Sequence, residues 1–200
     1  MAVETRIPTQ KRSIEKRDRI IDAGFKLMTS NGYYNTNTAE IAKEASVSTG
    51  IVYQYFKDKH DILIAGMEKY GEEIFFPLID LDEDTKLPKN NIEDFIKSLI
   101  NKAVKNHKLS SKAHEEFMSM VHGDVDIANY YHEHELDMSL RITKMLENNG
   151  IVKEDLRERV HVIIGIVDNL CHERVYHKHE EIDYDLMTDI VVREIINLVK

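Results

Sequence analysis

The sequence predicts an all-α protein in which an N-terminal helix-turn-helix domain of three helices precedes a larger C-terminal helical bundle. Apolar residues recur three and four positions apart through much of the chain, which is the spacing of helices with one buried face. The composition agrees, because 42% hydrophobic and 32% charged residues accompany only 8 Gly and 3 Pro. The stretch from residue 38 to 63 adds a third observation, since it contains a short helix, a tight break and a second helix.

The chain of 200 residues is long enough for one large or two small domains with a buried core. No apolar run reaches the length that crosses a bilayer, and the N-terminus lacks the apolar core of a signal peptide, so we expect a cytoplasmic protein. The single cysteine, Cys171, cannot form an internal disulfide. Its apolar helical surroundings indicate packing rather than catalysis.

The net charge of −9 is unevenly distributed along the chain. Residues 1–60 carry 10 Lys and Arg against 7 Asp and Glu, whereas the remaining 140 residues carry 17 against 29. A basic N-terminal part suits a polyanionic partner, and the acidic remainder would be repelled by it. We therefore expect an N-terminal tail and helix-turn-helix domain at 1–60 and a second domain at 61–200.

The segment from Thr38 to Leu63 predicts the helix-turn-helix itself. Thr38 is a suitable N-cap for a short helix with a buried face at Ile41, Ala42 and Ala45, and residues 46–48 form the break. A second helix begins at Ser48 or Thr49. Its inward residues are Ile51, Val52, Tyr55 and Phe56, and its outward residues are Thr49, Gly50, Tyr53 and Gln54.

In this segment the chain resembles the TetR family of bacterial transcriptional regulators. The positions that match the family's pattern are Gly32, Tyr33, Thr36, Thr38, Ile41, Ala42, Ala45, Val47, Ser48, Gly50, Tyr53, Tyr55, Phe56, Lys59 and Leu63. One departure is Ser46, which stands in the turn where the family usually has Gly. Because Gly takes positive φ at little cost, Ser46 predicts mild strain or a slightly different turn.

The resemblance implies that this domain binds double-stranded DNA. Gln54, Thr49 and Gly50 are expected near base edges, while the phosphate-contacting positions of the family correspond to Thr38, Tyr53, Tyr55 and Lys59. The full expected set of DNA-binding residues is Thr38, Ser48, Thr49, Gly50, Tyr53, Gln54, Tyr55 and Lys59.

Further helices are expected on both sides of this segment. Ser13 is the expected cap of the first helix, whose core stripe is Ile20, Ala23, Gly24, Leu27 and Met28 and whose end is Asn31-Gly32. A fourth helix is predicted from residue 58 to about 79, with a kink near Pro77, and residues 80–91 form a loop. The later helices are predicted at 92–107, 111–121, 125–148, 154–179 and 184–199.

The last two predicted helices are apolar over more than one face, which indicates burial on two sides. One side can belong to the chain's own domain and the other to a second copy, as in the dimers of the resembled family; the alternative is a central helix of a monomeric core. The expected dimerisation residues are Val160, Ile163, Val167, Leu170, Ile190, Ile195 and Leu198.

The C-terminal domain is also rich in aromatic and thioether side chains, which suit an apolar ligand pocket. An ordinary Met-rich core would give the same composition, and the pocket is expected mainly because the resembled family usually has one. The expected lining residues are Phe75, Phe76, Phe95, Leu99, Phe117, Met118, Val121, Tyr130, Met138 and Ile166.

The ten histidines do not form a metal-binding motif along the sequence. His132 and His134 lie on nearly opposite sides of a helix, and His172 and His177 are five residues apart rather than four. We therefore expect no metal, no cofactor and no catalytic residues.

These observations together predict a homodimeric regulator, most simply a repressor, that an apolar or amphipathic small effector releases from its DNA operator. Two alternatives stay open: a ligand-independent dimeric regulator and a His-rich helical metalloenzyme. A fourth helix joining the two domains is the expected route of any signal between them.

Overall fold

Every regular element in the described part of the chain is an α-helix, which confirms the predicted fold class. The structure, a computed structural model, describes residues 8, 10–75, 81–109 and 111–200, and at 72–75, 109 and 111 it describes the backbone only. Its helices are α1 (Lys11–Asn31), α2 (Thr38–Glu44), α3 (Thr49–Tyr55), α4 (Lys59–Phe75), α5 (Ile92–Leu109), α6 (Ser111–Val121), α7 (Val125–Asn148), α8 (Leu156–Val175) and α9 (Tyr184–Val199). Within these ranges every helix is too short or too polar to cross a membrane.

Contacts divide the chain into two compact units. The first comprises Met1–Phe75 and Lys112–Tyr130, and the second comprises Phe76–Ser111 and Tyr131–Lys200. The contact-based division thus differs from the boundary expected near residue 60, because α4 packs on α1 and therefore belongs to the first unit. The expected boundary describes a division of function and stays a prediction.

The core of the first unit forms around the buried face of α1. The expected stripe is largely confirmed, except that Leu27 is half-buried and Phe25, which the pattern missed, is buried. The ring of Phe25 stacks on Tyr70 of α4 at 5.3 Å between centroids and lies 6.1 Å from the ring of Phe117 on α6. These aromatic contacts join α1, α4 and α6 within the unit.

The N-terminal caps of the first two helices differ from expectation. Gln10, not Ser13, precedes α1, with an extended backbone at φ −90° and ψ 138°. Asn37, not Thr38, caps α2: its side-chain oxygen accepts hydrogen bonds from the N–H groups of Ala39 and Glu40 at 3.1 and 3.0 Å. The carboxylate of Glu40 accepts from the Asn37 N–H at 3.2 Å, which completes a capping box. Thr38 is therefore the first helical residue of α2.

The turn between α2 and α3 depends on Ser46, which has a positive φ of 56°. The Val47 N–H donates to the Ala42 carbonyl at 2.9 Å, and the Ser46 N–H donates to the Lys43 carbonyl at 3.1 Å. This pair of bonds is a Schellman motif, in which the left-handed position usually carries Gly. The strain expected at Ser46 therefore comes from its left-handed backbone conformation.

Replacing Ser46 by Gly is expected to raise the free energy of unfolding by about 0.5 to 1 kcal/mol. The left-handed region costs an L-residue roughly 1 to 2 kcal/mol, and the extra backbone entropy of Gly offsets about 0.5 to 1 kcal/mol of that gain. Urea unfolding measures the change. Ser48→Gly is the matched control, because Ser48 has an extended backbone at φ −77° and should lose stability. A loss of stability in both variants would contradict the proposed origin of the strain.

The second unit is a bundle of α5, the part of α7 from residue 131, α8 and α9. One buried cluster joins α5, α8 and α9, and a second joins α7 and α8. α8 is shorter than the predicted 154–179, and α5 extends two residues beyond the predicted end. Asp183 caps α9 as expected, accepting from the N–H groups of Asp185 and Leu186 at 3.0 Å each.

Candidate functional site

The exposed face of α3 is the principal candidate site in the first unit. Val52, Tyr55 and the following Phe56 are buried, which fixes this short helix in the core. The outward residues are those that the sequence predicted: Thr49, Gly50, Tyr53 and Gln54. Apart from the backbone, this face offers one amide, one phenol and one small hydroxyl. Such groups make hydrogen bonds to base edges and phosphates rather than a solvated ion-pair network.

Three other residues of the expected DNA-binding set have different surroundings. Ser48 is exposed immediately before α3, and Thr38 is half-buried at the start of α2. Tyr55 is buried on the inner side of α3, so its ring contributes to the core. A tyrosine can bury its ring and still present its hydroxyl group at the surface, so the expected phosphate contact of Tyr55 stays a prediction.

Lys59, at the start of α4, has internal partners that the sequence did not reveal. Its ammonium group donates to the carbonyl oxygens of Tyr33 and Thr36 at 2.7 and 3.0 Å, and it lies 4.3 Å from the centroid of the Tyr33 ring. The contact joins residues 26 positions apart, which no local pattern encodes. Lys59 therefore holds the segment between α1 and α2, and two of its three ammonium protons are already donated.

The segment between α1 and α2 also presents an exposed aromatic residue that was not predicted. Tyr34 is 73% exposed, and its ring meets the ring of Tyr33 edge-on at 5.2 Å. Burial, followed by the charges of Asp58 and Asp124, raises the pKa of Tyr33, so this phenol stays neutral at physiological pH. The adjacent tyrosines in the sequence were the available signal for an exposed aromatic group here.

The second unit contains an apolar cavity of about 160 Å³. Three expected residues line it: Phe95, Leu99 and Met138. The residues that the prediction missed are Leu81, Leu87, Ile92, Ile96, Ile100, Ile142, Met145, Leu146, Ile151, Ile163, Ile164, Val167, Ile195 and Val199. Every side chain of this lining is hydrocarbon or thioether, so the cavity suits an apolar group.

The other expected lining residues lie elsewhere. Phe117, Met118, Val121 and Tyr130 belong to the first unit, because α6 packs its buried face there. Ile166 is half-buried on α8 but does not line the cavity. Phe76 and the side chain of Phe75 lie outside the described residues. The apolar composition was therefore a correct signal for a cavity but a poor guide to its lining.

One wall of the cavity is the segment 81–91, which contains no helix. Two side chains at the end of α7 hold it. Asn149 accepts from the Leu87 N–H at 2.9 Å and donates to the Thr85 carbonyl at 2.9 Å, and Asn148 donates to the Glu83 carbonyl at 2.9 Å. These three hydrogen bonds fix Leu81 and Leu87 in place beside the helices.

The expected dimerisation residues are mostly unavailable to a partner. Val160, Val167, Leu170 and Ile195 are buried in the core of their own unit, because α8 packs on α5 and α9 along that stripe. Ile163 and Leu198 are half-buried, whereas Ile190 is 46% exposed. This corrects the prediction, which identified two doubly apolar helices but assigned the inner stripe to the interface.

The outer surface of α8 and α9 carries other apolar side chains. Val162 is 51% exposed and Leu186 is 55% exposed, and both join Ile190 as large apolar groups open to solvent. Gly165 lies one turn after Val162 near the middle of α8, and a Cβ placed there would meet nothing within 4 Å. These four positions form the outer stripe: Val162, Gly165, Leu186 and Ile190.

Residues 20–65 match the family model described as "Bacterial regulatory proteins, tetR family". The HTH-type transcriptional regulator HbdR of Aromatoleum sp. (strain CIB) is 48% identical over 64 residues, which are 30% of this chain and 28% of that protein. The fatty acid metabolism regulator protein of Bacillus subtilis (strain 168) is 43% identical over 65 residues, 32% of this chain and 34% of that protein. The matched stretch thus spans about a third of the length of these curated relatives.

Solved structures extend the likeness of fold to nearly the whole chain. A transcriptional regulator from Rhodococcus sp. Rha1 has a TM-score of 0.62 at 17% identity and covers 90% of this chain and 96% of its own. The fatty acid degradation regulator FadR from Bacillus halodurans has a TM-score of 0.57 at 23% identity and covers 95% of this chain and 97% of its own. Residues 20–65, which include the helix-turn-helix of α2 and α3, therefore form a domain of the tetR family of bacterial regulatory proteins, and the fold of nearly the whole chain is like that of solved transcriptional regulators.

Proposed function

We propose that the protein is a homodimeric transcriptional repressor that reads a specific DNA operator and is released by a small apolar or amphipathic effector. The observation that carries this proposal is the outward face of α3, where Thr49, Gly50, Tyr53 and Gln54 stand exposed on a helix that its opposite face anchors. Regulatory names among the relatives support it.

Two kinds of contact are assigned to the exposed face. Gln54 can make two hydrogen bonds to the N6 and N7 atoms of an adenine, and Gly50 allows the backbone to approach so that Thr49 reaches a neighbouring base. Tyr53 and the start of α2 are assigned to phosphates, which position the helix without reading sequence. The free third proton of the Lys59 ammonium can add one phosphate contact, although its main contacts lie within the unit.

Gln54→Ala is expected to change the preferred base at one position in each half-site and to cost roughly 1 to 3 kcal/mol of binding free energy. Tyr53→Phe is the matched comparison: it removes one hydroxyl group and should weaken all sequences to a similar degree. Selection of bound sequences from random DNA, followed by titration of the best site, measures both effects. An unchanged motif for Gln54→Ala would show that another residue reads that base.

The cavity of the second unit is the proposed effector site. Its volume of about 160 Å³ compares with an engineered apolar cavity of roughly 150 Å³ that stays dry and binds benzene. Two relatives carry names that refer to fatty acid metabolism, one of them a close match only in the DNA-binding segment. We therefore propose an effector that places part of an acyl chain among these side chains, and the ligand-independent regulator is the alternative.

Reciprocal titration tests this effector site. A medium-chain acyl thioester and the matching free fatty acid are titrated into the protein with and without operator DNA. An effector that releases DNA must bind the DNA-free state more tightly, and a coupling of about 1 to 3 kcal/mol corresponds to roughly 5- to 150-fold.

Leu99→Phe, which adds bulk to the cavity, should weaken this binding, whereas Ile182→Phe places a similar change at an exposed position and should not. Equal effector affinity with and without DNA would favour the ligand-independent regulator.

A further inference from the structure

Two histidines and one aspartate converge between α5 and α8 in the second unit. Asp168 and His172 are one turn apart on α8, and His107 lies near the end of α5. The Oδ1 atom of Asp168 is 3.7 Å from Nε2 of His107 and 3.7 Å from Nε2 of His172. The two histidines also offer nitrogen atoms within 4.8 Å of each other. One carboxylate oxygen thus faces two imidazole rings.

The orientation of His107 is fixed by its other nitrogen. Nδ1 lies 3.0 Å from the carbonyl oxygen of Ala103, one turn earlier on α5. Because a carbonyl oxygen only accepts, Nδ1 carries a proton, and Nε2 is the ring nitrogen on the side of Asp168. Metal-binding histidines are commonly held in this way, with the second nitrogen donating to a backbone carbonyl.

The distances suit a shared ion better than direct hydrogen bonds. A hydrogen bond between nitrogen and oxygen spans about 2.7 to 3.2 Å, which is shorter than both separations in this cluster. Two ligands that each lie roughly 2.0 to 2.2 Å from one ion are about 3.3 to 3.8 Å apart at tetrahedral or somewhat wider angles. The two separations of 3.7 Å fall in that range.

The surroundings combine rigidity with access. His107 is fully buried, and the hydroxyl group of Tyr176 donates to its carbonyl oxygen at 3.2 Å. The rings of His107 and His172 meet edge-on at 5.7 Å. The side chains of Asp168 and His172 are each partly exposed, which leaves a path for an ion and room for a water molecule as a further ligand.

We propose that His107, Asp168 and His172 bind one divalent transition-metal ion of the Zn²⁺ type. Two imidazoles and one carboxylate favour such ions over Mg²⁺ and Ca²⁺, which take mainly oxygen ligands. The site lies outside the apolar cavity and is independent of the proposed effector. Sequence spacing missed it because the pair Asp168 and His172, four residues apart, is completed by a histidine from another helix.

The test is equilibrium dialysis of the full-length protein. The protein is stripped with a chelator, freed of the chelator and dialysed against micromolar ZnCl₂, and bound zinc is measured by elemental analysis. We expect one zinc ion per chain and no retention of Mg²⁺ under the same conditions. Replacing zinc by Co²⁺ should give the visible absorption of a bound, low-symmetry ion.

Two conservative variants connect this binding to the cluster. His172→Gln and Asp168→Asn alter partly exposed side chains, so both should fold, as far-UV circular dichroism and thermal unfolding can verify. Each should weaken zinc binding at least tenfold. His132→Gln, which changes an exposed histidine on α7, should bind zinc like the unmodified protein. Absence of bound zinc, or unchanged affinity in both folded variants, would overturn the proposal.

Discussion

Replacing Ile190 by Asp is expected to convert the proposed dimer into a monomer and to lower operator affinity by about 10²- to 10⁴-fold. The first effect follows from burial, since a two-fold interface would place two unpaired carboxylates in apolar surroundings. The second effect follows because a monomer binds each half-site separately and loses the advantage of linked binding.

The folded chain itself should tolerate this change. Ile190 is 46% exposed, so its carboxylate replacement remains in contact with water in the single chain. Ile182→Asp is a closely matched control, because Ile182 is also 46% exposed but precedes α9. The control should retain both the dimer and its operator affinity.

Sedimentation at micromolar concentration provides the measurement, since one chain has a mass of 23.3 kDa. Gly165 supports the same interface, because Gly within a helix costs about 1 kcal/mol relative to Ala. A Cβ at Gly165 would meet no atom of its own unit within 4 Å, so packing within the unit does not explain a Gly here. A second helix that packs closely on the outer stripe would explain it, because close approach needs a position without a side chain. An unmodified protein that sediments as a single chain would eliminate the dimer from the proposal.

Replacing Gly66 by Val is expected to lower the free energy of unfolding of the first unit by about 3 kcal/mol. A Cβ at this position of α4 would overlap the Phe25 ring and lie 2.9 Å from both Cβ and Cγ of Phe25. Phe25 cannot move aside freely, because its ring is packed between Tyr70 and Phe117. Overpacking of a filled core typically costs about 1 to 3 kcal/mol, and a β-branched side chain is at the upper end.

Gly123→Val is the control for this prediction, because a Cβ at Gly123 would meet nothing within 4 Å. Its effect should remain within about 0.5 kcal/mol, as for other exposed substitutions. Denaturant unfolding, followed by circular dichroism, compares the two variants. Equal stability of both would mean that α1 and α4 can separate at this point without cost.

The sequence predicted those parts of the fold that depend on neighbouring residues. Most helix limits followed approximately from apolar spacing and turn residues, although the residues that precede α1 and α2, Gln10 and Asn37, were not predicted. The cap at Asp183 was correct because it acts on the next three residues. The outward face of α3 was also predictable, since one buried stripe determines the opposite side. Ser46 was identified as unusual because it stands where the resembled family usually has Gly, and its φ of 56° confirms that the position needs the left-handed conformation.

The incorrect predictions concern choices that only tertiary packing makes. Apolar spacing shows that α8 and α9 have two apolar faces, but it does not state which face meets the chain's own core. The internal contacts of Lys59 were not predicted, because its carbonyl partners lie in a distant segment, whereas its assignment to phosphate rests on the family resemblance and stays a prediction. Phe117 was assigned to the pocket from aromatic composition, which does not identify the unit in which a helix packs, and it lies in the first unit.

The non-helical wall at 81–91 has a consequence for how this protein can diverge. Residues in such a segment can be exchanged, inserted or deleted with less disturbance than residues of packed helices. Leu81 and Leu87 line the cavity from this wall, and hydrogen bonds from Asn148 and Asn149 retain it. A few substitutions in this wall could therefore reshape the cavity in descendants of this chain, while the outward face of α3 stays the same.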